Sequence, residues 1–254
     1  MSNLKKYARM TWELALSDFR MRDQGTALGF LWTLVYPAAM FIVIFIIFSE
    51  WMKTIRDFPL YLLIGMVNWN FFSAVTNASV TSVMRYSSFV KNISFPKICI
   101  VIASTLAVLF SHILEVAIVV GICFIVIGPS FYALTLIPLL ILSLLITLGF
   151  SLILSVVGVY FLDMQRIWAL LTSLGFFLTP IFYTLEMLSP RRQMIIKLNP
   201  MTHIIQASRD ALLDFSLPQN YGGLFYVLAL ALVLIITGYF LFKKFEGHFV
   251  EKIQ

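Results

Sequence analysis

The stretch GFFLTPIFYTLEMLSPRRQMIIKLNPMTHIIQASRDALL, from Gly175 to Leu213, decides how this chain is read. It begins as an apolar run fit for a bilayer. It then meets Thr179-Pro180, Pro190 and Pro200, and turns more polar after each break while keeping a hydrophobic period. It is too long for a plain connecting loop and too charged for a second span. Proline removes a backbone donor and clashes with the preceding helical turn. The pattern therefore predicts a span that ends in short helices re-entering or lying along the membrane surface.

Outward from that stretch the chain is apolar almost throughout. Of its 254 residues 61% are hydrophobic and 12% charged, against about 25% charged in soluble domains, and the mean hydropathy is +0.95. Apolar runs of roughly 18 residues or more mark helices that cross a bilayer. The fold class expected is an all-α membrane protein, with residues 1–254 forming a single transmembrane domain. Six spans are expected at about 28–51, 58–84, 98–127, 134–162, 167–185 and 224–242. An amphipathic interface helix covers 3–22, a basic cytoplasmic loop 85–97, and an external cap of short helices 186–222. The charged, amphipathic N-terminus lacks the continuous apolar core of a signal peptide.

The net charge of +6 reports topology and anionic lipid rather than nucleic acid. With the N-terminus inside, 12 of the 18 Lys and Arg residues fall on the cytoplasmic side, which predicts both termini in the cytoplasm. Four of the others, Arg191, Arg192, Lys197 and Arg209, lie in the opening stretch, where they are expected to face head groups or water. Cys99 and Cys123 share one apolar run, roughly 36 Å apart if that run is one helix, so they do not pair.

Several side chains carry candidate chemistry. On the interface helix Lys6, Arg9, Glu13, Ser17 and Arg20 form one stripe, with Leu4, Ala8, Trp12, Ala15 and Phe19 roughly opposite. Such a helix serves as a surface anchor or as a substrate-contact element. Phe41, Phe45 and Phe48 share a face of the first span, by plain packing or as the lining of a path. Asn68 to Ser82 is a polar span segment that bonds to neighbouring helices or borders a hydrated interior. Arg85, Phe89, Lys91 and Lys97 make the inside loop either a positive-inside feature or a docking element. His112 and Glu115 lie one turn apart inside the third span, where a carboxylate is a functional candidate.

What is missing narrows the choice. There is no G-x-x-x-x-G-K-[ST], no H-E-x-x-H, no Cys/His metal spacing and no G-x-S-x-G. A transport path without an energy source of its own implies a partner that supplies one. The chain is not expected to be an enzyme by itself, nor to bind a metal.

The order of motifs is informative. R-x-R-x(5)-L-G-x-L-W-x(4)-P runs from Arg20 to Pro37, T-P-I-F-Y from Thr179 to Tyr183, and L-N-P-M-T-H-x(5)-R-x-x-L from Leu198 to Leu212. Over essentially its whole length the chain resembles the permease subunits of type-two ABC exporters, in particular those for O-antigen, capsule and wall teichoic acid. The resemblance implies a homodimer in a bacterial inner membrane, joined by two copies of a cytoplasmic ATPase that carries ATP and Mg, and a polysaccharide on a lipid diphosphate as substrate. It implies that Phe41, Phe45, Phe48, Trp168, Phe176 and Phe177 line the path, and that Arg20 and Arg22 meet the diphosphate. Arg85, Phe89, Lys91 and Lys97 would couple to the ATPase, and Arg191, Arg192, His203 and Arg209 would belong to a cap over the exit. Competing expectations are an ABC permease for a drug or a simple lipid, a secondary transporter using His112 and Glu115, and a membrane-embedded glycolipid enzyme.

Overall fold

A computed structural model describes residues 3–21, 32–92 and 95–252. Arg22, the side chain of Lys91 and the expected start of the first span at residue 28 lie outside the described residues. Every regular element among the described residues is helical. In order these are α1 (Asn3–Met21), α2 (Trp32–Phe48), α3 (Phe58–Arg85), α4 (Ser87–Asn92), α5 (Ile98–Val126), α6 (Leu136–Tyr160) and α7 (Met164–Leu178). They continue as α8 (Pro190–Lys197), α9 (Pro200–Leu212), α10 (Tyr221–Phe245) and α11 (Phe249–Lys252).

Four helical stretches of 28 to 30 residues are long and apolar enough to cross a membrane: Phe58–Arg85, Ile98–Val126, Phe131–Tyr160 and Tyr221–His248. At 1.5 Å per residue each runs roughly 42–45 Å, beyond the ~30 Å hydrocarbon core. Two further apolar helices, Leu34–Phe48 and Met164–Leu178, are shorter. The stretch expected to cross at 167–185 as one span is helical only from Met164 to Leu178. The apolar composition continues past that point, but Thr179 is extended at φ −98° and ψ 140°, as a residue before proline must be.

α3 is the centre of the bundle. It is buried on nearly all sides and packs against α2, α5, α6, α7 and α9. α6 and α10 lie side by side, and α1 runs along α5. On α1 the residues turned to the protein include Thr11 and Ala15, with Tyr7, Met10 and Leu14 against the cluster around Val83 and Ile100. Ala8 and Trp12, expected on the apolar stripe, are exposed, although Trp12 still meets Phe110 edge-on at 5.4 Å. The polar residues of α3 turn mostly to their own helix: Thr76 bonds Phe72 O at 2.7 Å and Ser79 bonds Val75 O at 2.8 Å. A short hydroxyl side chain reaches the carbonyl one turn back more readily than a neighbouring helix. Asn77 does cross, donating to Thr172 Oγ1 on α7 at 3.1 Å. Cys99 and Cys123 are buried and free, as their spacing required.

Candidate functional site

The prolines that punctuate the opening stretch each start or end an element. α7 stops before Thr179-Pro180, α8 begins at Pro190 and α9 at Pro200. Proline suits the first turn of a helix, where its missing N–H has no intrahelical partner to lose. Asn199 caps α9 by accepting from Met201 N at 3.0 Å. The same side chain donates to Thr179 Oγ1 at 2.7 Å, and Thr179 in turn donates to Gly175 O at 2.7 Å. The two distant motifs are thereby bonded to each other at the end of α7.

Arg209 completes the joint. It is 4% exposed, and its guanidinium donates to Tyr61 O from Nε (3.2 Å) and Nη2 (3.0 Å), to Pro180 O from Nη1 (2.8 Å) and to Ile181 O from Nη2 (2.8 Å). Its carbon lies 3.3 Å from the centre of the Tyr61 ring. Gly65 makes the approach possible, because a β-carbon there would stand 2.7 Å from Nη2. Among the described residues no carboxylate is within ion-pairing distance. Burial lowers the Arg209 pKa to about 10, so it is a cation at neutral pH held by backbone dipoles and one ring face. This corrects the expectation that Arg209 faces head groups or water. Two of the three acceptors, Pro180 O and Ile181 O, lie where Pro180 breaks the helix and leaves carbonyls that a continuing turn would satisfy. Arg191 and Arg192 are exposed, as expected.

His203, expected only as a member of the cap, is likewise buried. Its Nε2 lies 2.8 Å from Lys197 O. A carbonyl only accepts, so Nε2 carries the hydrogen and Nδ1 is the bare nitrogen, packed against Gly223 without a partner. Burial lowers the His203 pKa below its ordinary value. A base whose folded pKa is depressed stabilises the fold above the unfolded pKa of ~6.5 and loses that contribution as pH falls through the folded value. Thermal unfolding of the purified chain is therefore expected at lower temperature at pH 5 than at pH 7.5, with the difference shrinking in His203→Gln. An equal pH dependence in both proteins would show that another group titrates.

Beneath this joint lies an aromatic cluster. Phe182 of T-P-I-F-Y sits 4.8 Å from Phe48, 6.2 Å from Phe176 and 6.1 Å from Phe177, ring centre to ring centre. Phe41 stacks on Phe45 at 5.9 Å, and both pack against the core around Phe58 and Trp69. Trp168 is half-buried, 6.0 Å from Phe150. The structure thus gathers Phe48, Phe176 and Phe177 around Phe182, which sequence reasoning had passed over, and sets Trp168 apart.

At the other end of the bundle Arg20 is exposed at the end of α1. Asp18 accepts from the Tyr86 hydroxyl, which ties α1 to the start of α4. Arg85 and Phe89 are exposed there. Lys97 is turned to its own chain: its backbone N donates to Glu246 Oε1 at 2.6 Å and its Nζ to Glu246 O at 3.0 Å. Two participants in the joint, Thr179 and Asn199, carried a readable signal, since Asn before Pro is a helix-capping pair. Tyr61 and Gly65 carried none, as they act through a backbone carbonyl and an absent side chain.

The comparisons with known proteins cover both ends of this arrangement. The family model described as ABC-2 type transporter matches residues 11–213, from α1 through α9. The chain is 25% identical over 92% of its length to the O-antigen export system permease protein RfbA of Klebsiella pneumoniae, covering 91% of that protein. It is 25% identical to the protein of the same name from Myxococcus xanthus, covering 98% of this chain and 97% of that one. It is 28% identical to the polysialic acid transport protein KpsM of Escherichia coli, covering 92% of each. A match that runs in one piece from the middle of α1 through α3 to the Arg209 joint leaves one conclusion: the chain belongs to the ABC-2 type transporter family.

Proposed function

We propose that this chain is the membrane subunit of an ATP-driven exporter that carries a lipid-linked polysaccharide across the bacterial inner membrane. One observation carries the reading: relatives matched over nine-tenths or more of both chains are named as O-antigen export and polysialic acid transport proteins, and both cargoes are polysaccharides. The absence of a P-loop from the sequence assigns ATP, with its Mg, to a separate ATPase subunit, two copies of which would serve a homodimer of this chain. The chain itself contributes transport and no bond chemistry.

In this reading α2, α3, α5, α6, α7 and α10 make six crossings, with both termini cytoplasmic. α2 and α7 cross as short helices, the latter extended by Thr179 to Thr184. Arg20 and Arg22 receive the lipid diphosphate, since a guanidinium matches phosphate geometry. Phe41, Phe45, Phe48, Trp168, Phe176 and Phe177 border the path, where ring faces hold sugars without fixing any one of them. α8 and α9, with Arg191, Arg192, His203 and Arg209, close its outer end. The stacking of Phe48 and Phe176 on Phe182 supports this, because it sets the aromatic cluster directly under the joint.

Arg85, Phe89, Lys91 and Lys97 would form the coupling segment. Phe89, 43% exposed on a short helix, is its apolar knob, whereas Lys97 steadies the segment from inside. Reconstitution of the chain with its ATPase subunit in proteoliposomes tests both claims. ATP hydrolysis is expected to rise several-fold with a lipid-diphosphate-linked glycan and not with the lipid diphosphate alone. Phe89→Asp is expected to abolish the rise while the unfolding midpoint of the chain stays unchanged. Equal stimulation by the bare lipid would favour a simple-lipid exporter, and full stimulation in Phe89→Asp would remove α4 from the coupling site.

A further inference from the structure

Between α2, α3 and α5 lies a half-open cavity of about 310 Å³, at the lower end of the size range of small-ligand pockets. It lies near the middle of α3 and α5. Its walls from α3 are one stripe, including Asn70, Ser73 and Asn77, and from α5 another, including Ser111, His112 and Glu115. Trp32 and Tyr36 of α2, both exposed, border its open side. At 100° per residue these two point the opposite way from Phe41, Phe45 and Phe48, so the cavity stands apart from the aromatic path.

His112 is the decisive group. It is 1% exposed, and neither ring nitrogen has a hydrogen-bond partner among the described residues. Its ring is fixed by stacking on Phe71 at 4.2 Å. Its Nδ1 stands 3.8 Å from Glu115 Oε2, beyond hydrogen-bond length. A polar group at this depth has no lipid partner to turn to, so the imidazole is presented to whatever occupies the cavity. The chemistry of the walls then selects the occupant. Among the described residues no Lys or Arg lines the cavity and Glu115 is the one carboxylate there, which disfavours phosphate or diphosphate. A cation would engage the carboxylate and the amide and hydroxyl oxygens but offer nothing to the imidazole N–H. Mixed donors and acceptors beside aromatic faces suit a neutral group that both gives and takes hydrogen bonds.

We propose that this cavity binds a neutral, hydroxyl-rich group: a sugar presented on a membrane lipid. The chemistry is read from the cavity alone. The identity of the lipid rests on the reading above if it is the transported glycan, and is independent of it if it is a resident glycolipid.

The test is photolabelling of the full chain in nanodiscs with a diazirine-bearing octyl glucoside. Saturable labelling is expected on α2 near Tyr36, α3 near Asn70 and α5 near His112. Asn70→Leu, which fills a half-exposed wall, and His112→Phe, which keeps the stack on Phe71, are each expected to lower it at least tenfold. The unfolding midpoint of Asn70→Leu shows that the chain is folded. Displacement by undecaprenyl diphosphoglucose marks the transported substrate as the source, and displacement by a diacyl glucosyl lipid alone marks a resident one. Equal labelling by octyl phosphate or octyltrimethylammonium analogues, or labelling unmoved by both substitutions, overturns the proposal. Saturable glucoside labelling in a chain whose ATPase partner ignores the lipid-linked glycan keeps this site while discarding the transport reading.

Discussion

Arg209→Ala is expected to destabilise the folded chain by about 3–5 kcal/mol, the cost typical of removing one partner from a buried charged network, and to loosen the α7–α9 end of the bundle first. The native side chain makes four hydrogen bonds to three carbonyls on two separate segments. Without it the Pro180 and Ile181 carbonyls lose their donor in a place where water is excluded, and the Tyr61 ring loses the cation above it. Arg209→Lys restores charge but not the planar fork, and should recover only part of the loss. Arg209→Met fills the volume and leaves every acceptor unpaired, so it should resemble Ala. Hydrogen exchange on the purified chain provides the measurement. Protection is expected to fall at residues 179–185 and 199–205 in Ala and Met, well before α3 or α6 is affected. Wild-type protection of both segments in Arg209→Ala would show that the joint is held by Asn199 and Thr179 alone. In the exporter reading the same variant leaks or fails to close, because the cap keeps only the Asn199–Thr179 bond to the break in α7.

The breaks of the opening stretch were legible in the sequence because proline acts locally. Pro180, Pro190 and Pro200 each fall where an element ends or begins. The long apolar runs were equally legible, since α3, α5, α6 and α10 need only length and hydropathy to be recognised. Arg209 was not, and the reason is physical. An arginine near the end of a 13-residue amphipathic helix normally lies on the polar face, and no rule of periodicity signals three carbonyls arriving from residues 61, 180 and 181. The fifth apolar run was overextended for a related reason: hydropathy is blind to the difference between a helix and the extended chain that follows Leu178. On α1 the period was legible, but which residues turn to the protein was not, because amphipathicity alone does not say that the helix runs along α5. His112 and Glu115 were visible as a pair, yet the cavity they share with Asn70 and Tyr36 exists only once α2 and α5 both lie on α3.

Gly158→Val is the second substitution with a large expected effect, and it separates scaffold from coupling. α6 crosses α3 so closely at Gly158 that a β-carbon there would stand 2.0 Å from Val80 O and 2.9 Å from Val80 C. The obstacle is backbone, so no rotamer change relieves it and the two helices must part. Overpacking of this kind costs about 1–3 kcal/mol and sometimes more, and a branched side chain against a fixed carbonyl belongs at the upper end. Gly121→Val is the matched control, because nothing lies within 4 Å of a β-carbon at that position. The unfolding midpoint is expected to drop sharply for Gly158→Val and to stay put for Gly121→Val. The consequence reaches further than stability. Val80 lies little more than a turn from Arg85, where α3 gives way to α4, so a displaced α3 carries Phe89 with it. Gly158→Val should therefore lose coupling to the ATPase together with stability, whereas Phe89→Asp loses coupling alone. Should Gly158→Val keep full glycan-stimulated hydrolysis despite a lowered midpoint, α4 would be shown to hold its position independently of the α3–α6 crossing, through Tyr86 on Asp18 and Lys97 on Glu246. The comparison thus decides whether force from the ATPase enters the bundle through α3 or through the contacts that α4 makes with α1 and the C-terminal segment.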